Sequence, residues 1–313
     1  MRTVRRSVRA LAATVVAAAV AAAACGEGVS PEERLAAAAS ATTGEGTAAF
    51  TMEMRVQVNQ EGSGMDMTMS GDGVADLAEN RGRMEMSSPG MGNSMTTVFD
   101  GDAVYVRLPS FMTGGRTQWV RQRAGSGTGV GSAGGGLGQN PLGMLDALDA
   151  VEGEVRSLGS DTVRGIDVEG FGVTIDGSKL WGDARDVPPE LMELEIPTEV
   201  WLDDGNRVRR MVVEVDLGPV VKAVRERATD SLSEKEAGAL GEMLAGMVGT
   251  MTMTTELHDF GTEVDVQVPD ESVVVDQERF RQGMGGMRGG MGGARGGEGG
   301  GAADTADAGQ GGG

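Results

Sequence analysis

Between residues 47 and 59 the chain alternates strictly. Phe50, Met52, Met54, Val56 and Val58 fall on one side of an extended backbone, and Thr51, Glu53, Arg55 and Gln57 on the other. A period of two with one dry and one wet side is the pattern of a strand whose sheet buries a single face. The period recurs: Met65, Met67 and Met69 alternate with Asp66, Thr68 and Ser70, Met84 and Met86 flank Glu85, and Val104, Val106 and Leu108 alternate with Ala103, Tyr105 and Arg107. Further strands are expected at 151–158, 162–176, 195–202, 207–217, 250–260 and 264–268. Asp100-Gly101 and Asp204-Gly205 are hairpin signals. About ten mostly sequential strands imply an antiparallel sheet too wide to stay flat, so a barrel or half-barrel is expected. Its apolar face then points inward, around packed side chains, helices or a ligand. A membrane-spanning barrel is excluded, because 6 Phe, 3 Trp and 1 Tyr cannot build two aromatic girdles.

Helices are expected where the period changes. Pro31 to Thr42 begins with a capping box, Ser30 and Glu33, and has Pro31 at the first helical position. Asn140-Pro141 opens a short helix carrying Leu142, Leu145 and Leu148. Two more, Pro219–Thr229 and Ser233–Val248, would form a helical insertion over 219–248, the second with Leu240, Met243, Leu244, Met247 and Val248 along one stripe. That stripe either closes the end of the core or serves as a lid over a cavity mouth. The Gly-rich stretches 124–138 and 283–313 lack the apolar surface to join a core, and the second is expected to be a disordered tail.

The first 24 residues read as an export signal, with Arg2, Arg5, Arg6 and Arg9 followed by the apolar run Ala10–Ala24. Ala22-Ala23-Ala24-Cys25-Gly26 resembles a bacterial lipobox, which makes Cys25 the expected lipid anchor and 25–29 a short tether to a domain over 30–282. The expected location is the cell envelope, on the outer face of the cytoplasmic membrane. One Cys and one His cannot build a zinc, iron-sulfur or disulfide site, so no cofactor is expected. A net charge of −20, or −24 once the leader and its four arginines are gone, disfavours nucleic acid. Catalysis finds no support. His258 and Asp259 are adjacent and should point to opposite faces of an exposed strand, and Gly129, Gly131 and Gly134 spell a dinucleotide fingerprint without the surrounding βαβ unit.

The leader and lipobox, the Ala-rich helix near Ala36, Val104-Tyr105-Val106-Arg107-Leu108-Pro109, Trp119-Val120, Glu199-Val200-Trp201-Leu202-Asp203, and Asp259-Phe260-Gly261 before Val264-Asp265-Val266 together resemble actinobacterial lipoproteins of the LppX and LprG type. These are similar in fold to LolA-type lipoprotein carriers. The resemblance covers about residues 30–275 as a pattern of spacing, and the helical insertion and Gly-rich segments depart from it. It implies an α+β fold, an unclosed half-barrel of curved antiparallel sheet with helices on its concave side, enclosing an apolar cavity that carries lipids or lipoproteins through the envelope.

The methionines support that reading independently, because a soft, unbranched thioether surface repacks around acyl chains of varied shape. The candidate cavity-lining residues are Phe50, Met52, Met54, Val56, Met67, Met69, Met84, Met86, Val104, Val106, Met251 and Met253, with Leu240, Met243, Leu244 and Met247 as the lid. Two other readings stand beside this one. A filled core would make the chain a scaffold that recognises an envelope protein, and the Met-x-Met pairs, with Met284, Met287 and Met291 in the tail, would suit Cu(I).

Overall fold

The computed structural model describes residues 29–60, 63–88, 94–108, 113, 118–123, 142–148, 151, 153–181, 189–231, 238 and 248–280. Cys25, the loop 124–138, the stripe Leu240–Met247 and the tail 283–313 lie outside the described residues.

The alternating segments become strands. They are β1 (Thr47–Gln60), β2 (Ser63–Asp76), β3 (Arg81–Ser87), β4 (Met95–Asp100), β5 (Ala103–Arg107), β6 (Trp119–Arg123), β7 (Arg156–Val163), β8 (Ile166–Asp176), β9 (Glu195–Leu202), β10 (Val208–Asp216), β11 (Val248–His258) and β12 (Val274–Asp276). All twelve join one sheet in the order β12-β6-β5-β4-β3-β2-β1-β11-β10-β9-β8-β7. β12 and β7 are free edges, so the sheet is an unclosed half-barrel. Two meanders, β1–β6 and β7–β11, meet where β1 pairs with β11, Ala49 opposite His258. Neighbouring strands are antiparallel except β12, which runs parallel to β6.

Among the described residues, the α-helices are α1 (Pro31–Thr43), α2 (Gly143–Leu148), α3 (Gly177–Trp181), α4 (Pro189–Met192) and α5 (Leu217–Ser231). They touch in series, α1 on α2, α2 on α3, α3 on α4 and α4 on α5, with α1 also against β10 and α5 against β11. This layer lies on the apolar side of the sheet, since Leu35 and Ala38 of α1, Leu145 and Leu148 of α2 and Val220 of α5 share one buried cluster with the inward strand residues. The capping box forms as expected: Glu33 N–H donates to Ser30 Oγ at 3.2 Å, and Ser30 N–H donates to Glu33 Oε2 at 3.1 Å. At the other end of α1, Thr42 Oγ1 is buried and accepts from Val208 N–H at 2.9 Å, stitching the helix to β10.

Several expected boundaries differ. The strand expected over 151–158 begins instead at Arg156, and the one expected over 162–176 is broken by a hairpin at Arg164 and Gly165, whose φ of 51° and 82° turn the chain back. No strand forms at 264–268; the edge strand is β12, six residues later, against Trp119–Arg121. The helix expected from Pro219 starts at Leu217, where Asp216 Oδ1 accepts from Gly218 N–H at 2.8 Å. Val248, expected as the last residue of a helix, is the first residue of β11.

The β7–β8 hairpin secures the outer side. β8 outruns β9, which pairs with it only from Glu169 onward, and the overhanging tip folds over the outer face. There Arg164 donates to Glu256 Oε2 of β11 at 2.9 Å and to Thr51 Oγ1 of β1 at 3.1 Å. Arg210 of β10 pairs with Asp161 and with Glu256. Four strands are thus tied together across their convex side.

Candidate functional site

Strand register arranges the inward side chains in rows. Met211, Thr255, Met52, Gly71, Met86 and Met95 make one row across six strands. Val213, Met253, Met54 and Met69 make the next, and Val215, Met251, Val56 and Met67 the one after.

At one end the inner face is filled. Phe50 and Phe99 are fully buried, with ring centroids 6.4 Å apart although three strand spacings separate β1 from β4. Glycines make this approach possible. Phe50 lies opposite Gly73 and Phe99 opposite Gly82. A methyl on Gly73 would come within 2.3 Å of the Phe50 ring, and one on Gly82 within 2.1 Å of the Phe99 ring. Each ring therefore lies over a glycine in the neighbouring strand, and the two rings meet in the trough between.

Toward the ends of β1 and β2 the same face opens. Met52, Met84 and Met253 are 1 % exposed and Val104 is sealed, whereas Val56, Met69, Met95 and Val106 are only partly buried and Met67 is 39 % exposed. Met54, Met86 and Met251 are buried between these extremes. Of the candidate lining residues, Phe50, Met52, Met84, Val104 and Met253 thus sit within packed core, while Val56, Met67 and Met69 form an apolar shelf at the mouth and Val106 lies apart from them, on β5 in the row of Phe50. α5 starts beside this mouth, directly after β10, and buries Leu217, Val220 and Ala223. The chain returns to β11 at the same end, and the expected lid Leu240, Met243, Leu244 and Met247 lies outside the described residues.

The outer face differs in chemistry. A depression of about 420 Å3 there is lined mainly by Thr51, Glu53, Ser70, Asp72, Arg164, Thr254 and Glu256, which suits water and not an apolar guest. Among the described residues no helix is long and apolar enough to cross a membrane.

Among the described residues, one charged side chain is buried. Asp203 is 3 % exposed and receives Arg207 Nε at 2.8 Å and Arg209 Nε at 2.7 Å, together with the backbone N–H groups of Gly205 and Arg207. Arg209 stacks over Phe260 at 4.6 Å, and Arg34 of α1 lies 5.4 Å over Phe171 while binding Glu169, Asn206 Oδ1 and the Asp203 carbonyl. Burial pushes the Asp203 carboxyl up, but the bonds from Arg209 and Arg207 and their positive charge outweigh it and hold its pKa below the ordinary value. Asp203 was legible only as a turn residue. Its role as the anchor between the β9–β10 hairpin and α1 depends on contacts with Arg34, which is far away in sequence.

His258 also departs from expectation. Asp259 has φ 47°, so the chain leaves the strand there and the two side chains meet, His258 Nδ1 lying 2.9 Å from Asp259 Oδ2, with the imidazole 19 % exposed. Neighbours in an unbroken strand would have pointed apart.

No protein-family model matches the chain, and no curated protein matches it. Solved structures do. The fold is similar to those of LppX and LprF. LppX of Mycobacterium tuberculosis has 13 % identity and a TM-score of 0.43 over 76 % of this chain and 98 % of its own. LprF of Mycobacterium bovis has 12 % identity and a TM-score of 0.38 over 76 % and 96 %. A LolA superfamily protein of Nitrosomonas europaea follows at 8 % identity and a TM-score of 0.31 over 78 % and 97 %. The functional reading rests on the residues of this chain.

Proposed function

We propose that this chain is an envelope lipoprotein that holds a lipid or similar apolar ligand against the concave face of its half-barrel and carries or presents it. The observation behind this reading is the gradient along the inner face, where a packed end formed by Phe50 and Phe99 passes into a partly open shelf of Val56, Met67 and Met69. A shelf of this kind binds without hydrogen bonds. Each shielded methylene contributes about 0.8 kcal/mol, so ten of them supply useful affinity. Met67 and Met69 adapt to chains of different shape through three soft torsions each.

Native mass spectrometry of the protein extracted from its own membrane tests this reading. A co-purified lipid adduct is expected, reduced in Met67→Asp and Met69→Asp variants. A bare mass in gently extracted protein overturns the carrier reading. Anchoring is tested separately. Cys25→Ser is expected to move the protein from the membrane fraction to the soluble fraction, and retention at the membrane would remove the lipobox from the account.

A further inference from the structure

The register aligns more than apolar surface. Met253 of β11, Met54 of β1 and Met69 of β2 stand directly opposite one another, so three thioethers share one row on the concave side. Met251 and Met67 flank Val56 in the adjacent row, nearer the mouth. Sequence spacing pairs Met residues only within a strand; the cross-strand row exists only because β1 and β11, from opposite ends of the domain, pair in this register.

Adjacent strands lie about 4.8 Å apart at the backbone, and on the concave side of a curved sheet side-chain tips are closer together than their bases. A Met side chain places sulfur two bonds beyond Cβ, so the outer two members of the row can lean over the central one and bring three sulfurs around one point. The row also spans from interior to opening: Met253 is 1 % exposed, Met54 5 %, Met69 is half-buried and Met67 is 39 % exposed. An ion entering past Met67 thus meets Met69 first and then the buried pair.

Thioether donors select soft monovalent ions and bind hard ones poorly. Among the described residues no three His, Cys, Asp or Glu side chains converge on a point where a harder ion could sit. We propose that Met54, Met69 and Met253 form a Cu(I) site between the packed core and the mouth of the half-barrel, with Met67 as its entry ligand. This goes beyond the lipid reading, and its test reads metal alone.

The full mature protein, stripped of lipid, is labelled at its methionine methyl groups and titrated with Cu(I) under a reducing atmosphere, with Ag(I) as a redox-inert probe. The methyl resonances of Met54, Met69 and Met253 are expected to shift together and saturate at one ion. A Met54→Leu/Met69→Leu variant, which conserves volume and apolarity, is expected to bind Cu(I) at least about tenfold more weakly in a competition assay with a chromophoric chelator. Three results overturn the site: no shift at all, shifts confined to the methyls of Met284, Met287 and Met291, or equal affinity in the double variant. The wild-type resonances decide the matter even if the variant folds poorly. A lipid adduct without Cu(I) binding removes only the metal site, and Cu(I) binding without lipid leaves it standing alone.

Discussion

Phe99→Ala is expected to lower the free energy of unfolding by about 3–5 kcal/mol, the range for an aromatic ring removed from a site that cannot collapse. The reason is the glycine below it. Gly82 has no side chain to move into the space, and the other wall is the Phe50 ring, itself fixed over Gly73. Urea unfolding followed by intrinsic fluorescence measures the loss, and a change under about 1 kcal/mol would mean the ring is not the filler described. A double-mutant cycle sharpens the test. Gly82→Ala drives a methyl to 2.1 Å from the Phe99 ring, so its cost is expected to fall when the ring is already absent. Equal cost in both backgrounds would place the strain on the backbone oxygen of Val74, 2.8 Å away.

Asp203→Ala is expected to cost about 3 kcal/mol, at the low end for breaking a buried ion pair because Arg207 keeps partial access to water. It leaves Arg209, 11 % exposed, without its carboxylate and removes the acceptor from two backbone N–H groups at the β9–β10 turn. The pH dependence follows from the lowered pKa. The contribution of Asp203 is complete above the ordinary value of 3.8 and is lost as pH falls through the lower folded value. Wild-type stability is therefore expected to drop in the acid range below about pH 4, and the drop is expected to be shallower in Asp203→Ala. Identical acid limbs would show that other carboxylates govern acid unfolding.

Much of the sheet is legible in the sequence, because a half-buried strand must repeat with period two and little else does. The Met and Val runs of β1, β2, β3, β5 and β11 were placed on that basis, and Ser30 with Glu33 marked the start of α1. Gly71, Gly73 and Ala75 continue the inward parity of Met67 and Met69. That these small residues make room for rings, and which ring lies over which glycine, follows only from register. The two strands of the β7–β8 hairpin were expected with the turn between 158 and 162, and the turn lies instead at Arg164 and Gly165, because Arg164 takes the left-handed region, a conformation that Gly165 alone does not signal. Long-range partnerships stayed hidden: Arg34 with Asp203 and Glu169, Thr42 with Val208, and the row of three methionines all depend on which strands pair.

The seam between β1 and β11 has a consequence for biogenesis. The first long strand of the domain finds its central neighbour only after nearly all of the chain has been synthesised, and contacts that distant in sequence slow folding. If the leader directs the chain across a membrane, the N-terminal meander emerges with an unpaired inner border and must wait for the C-terminal half. Until β11 arrives, the inner border of β1 stands as an unpaired strand edge, open to any other strand that it meets.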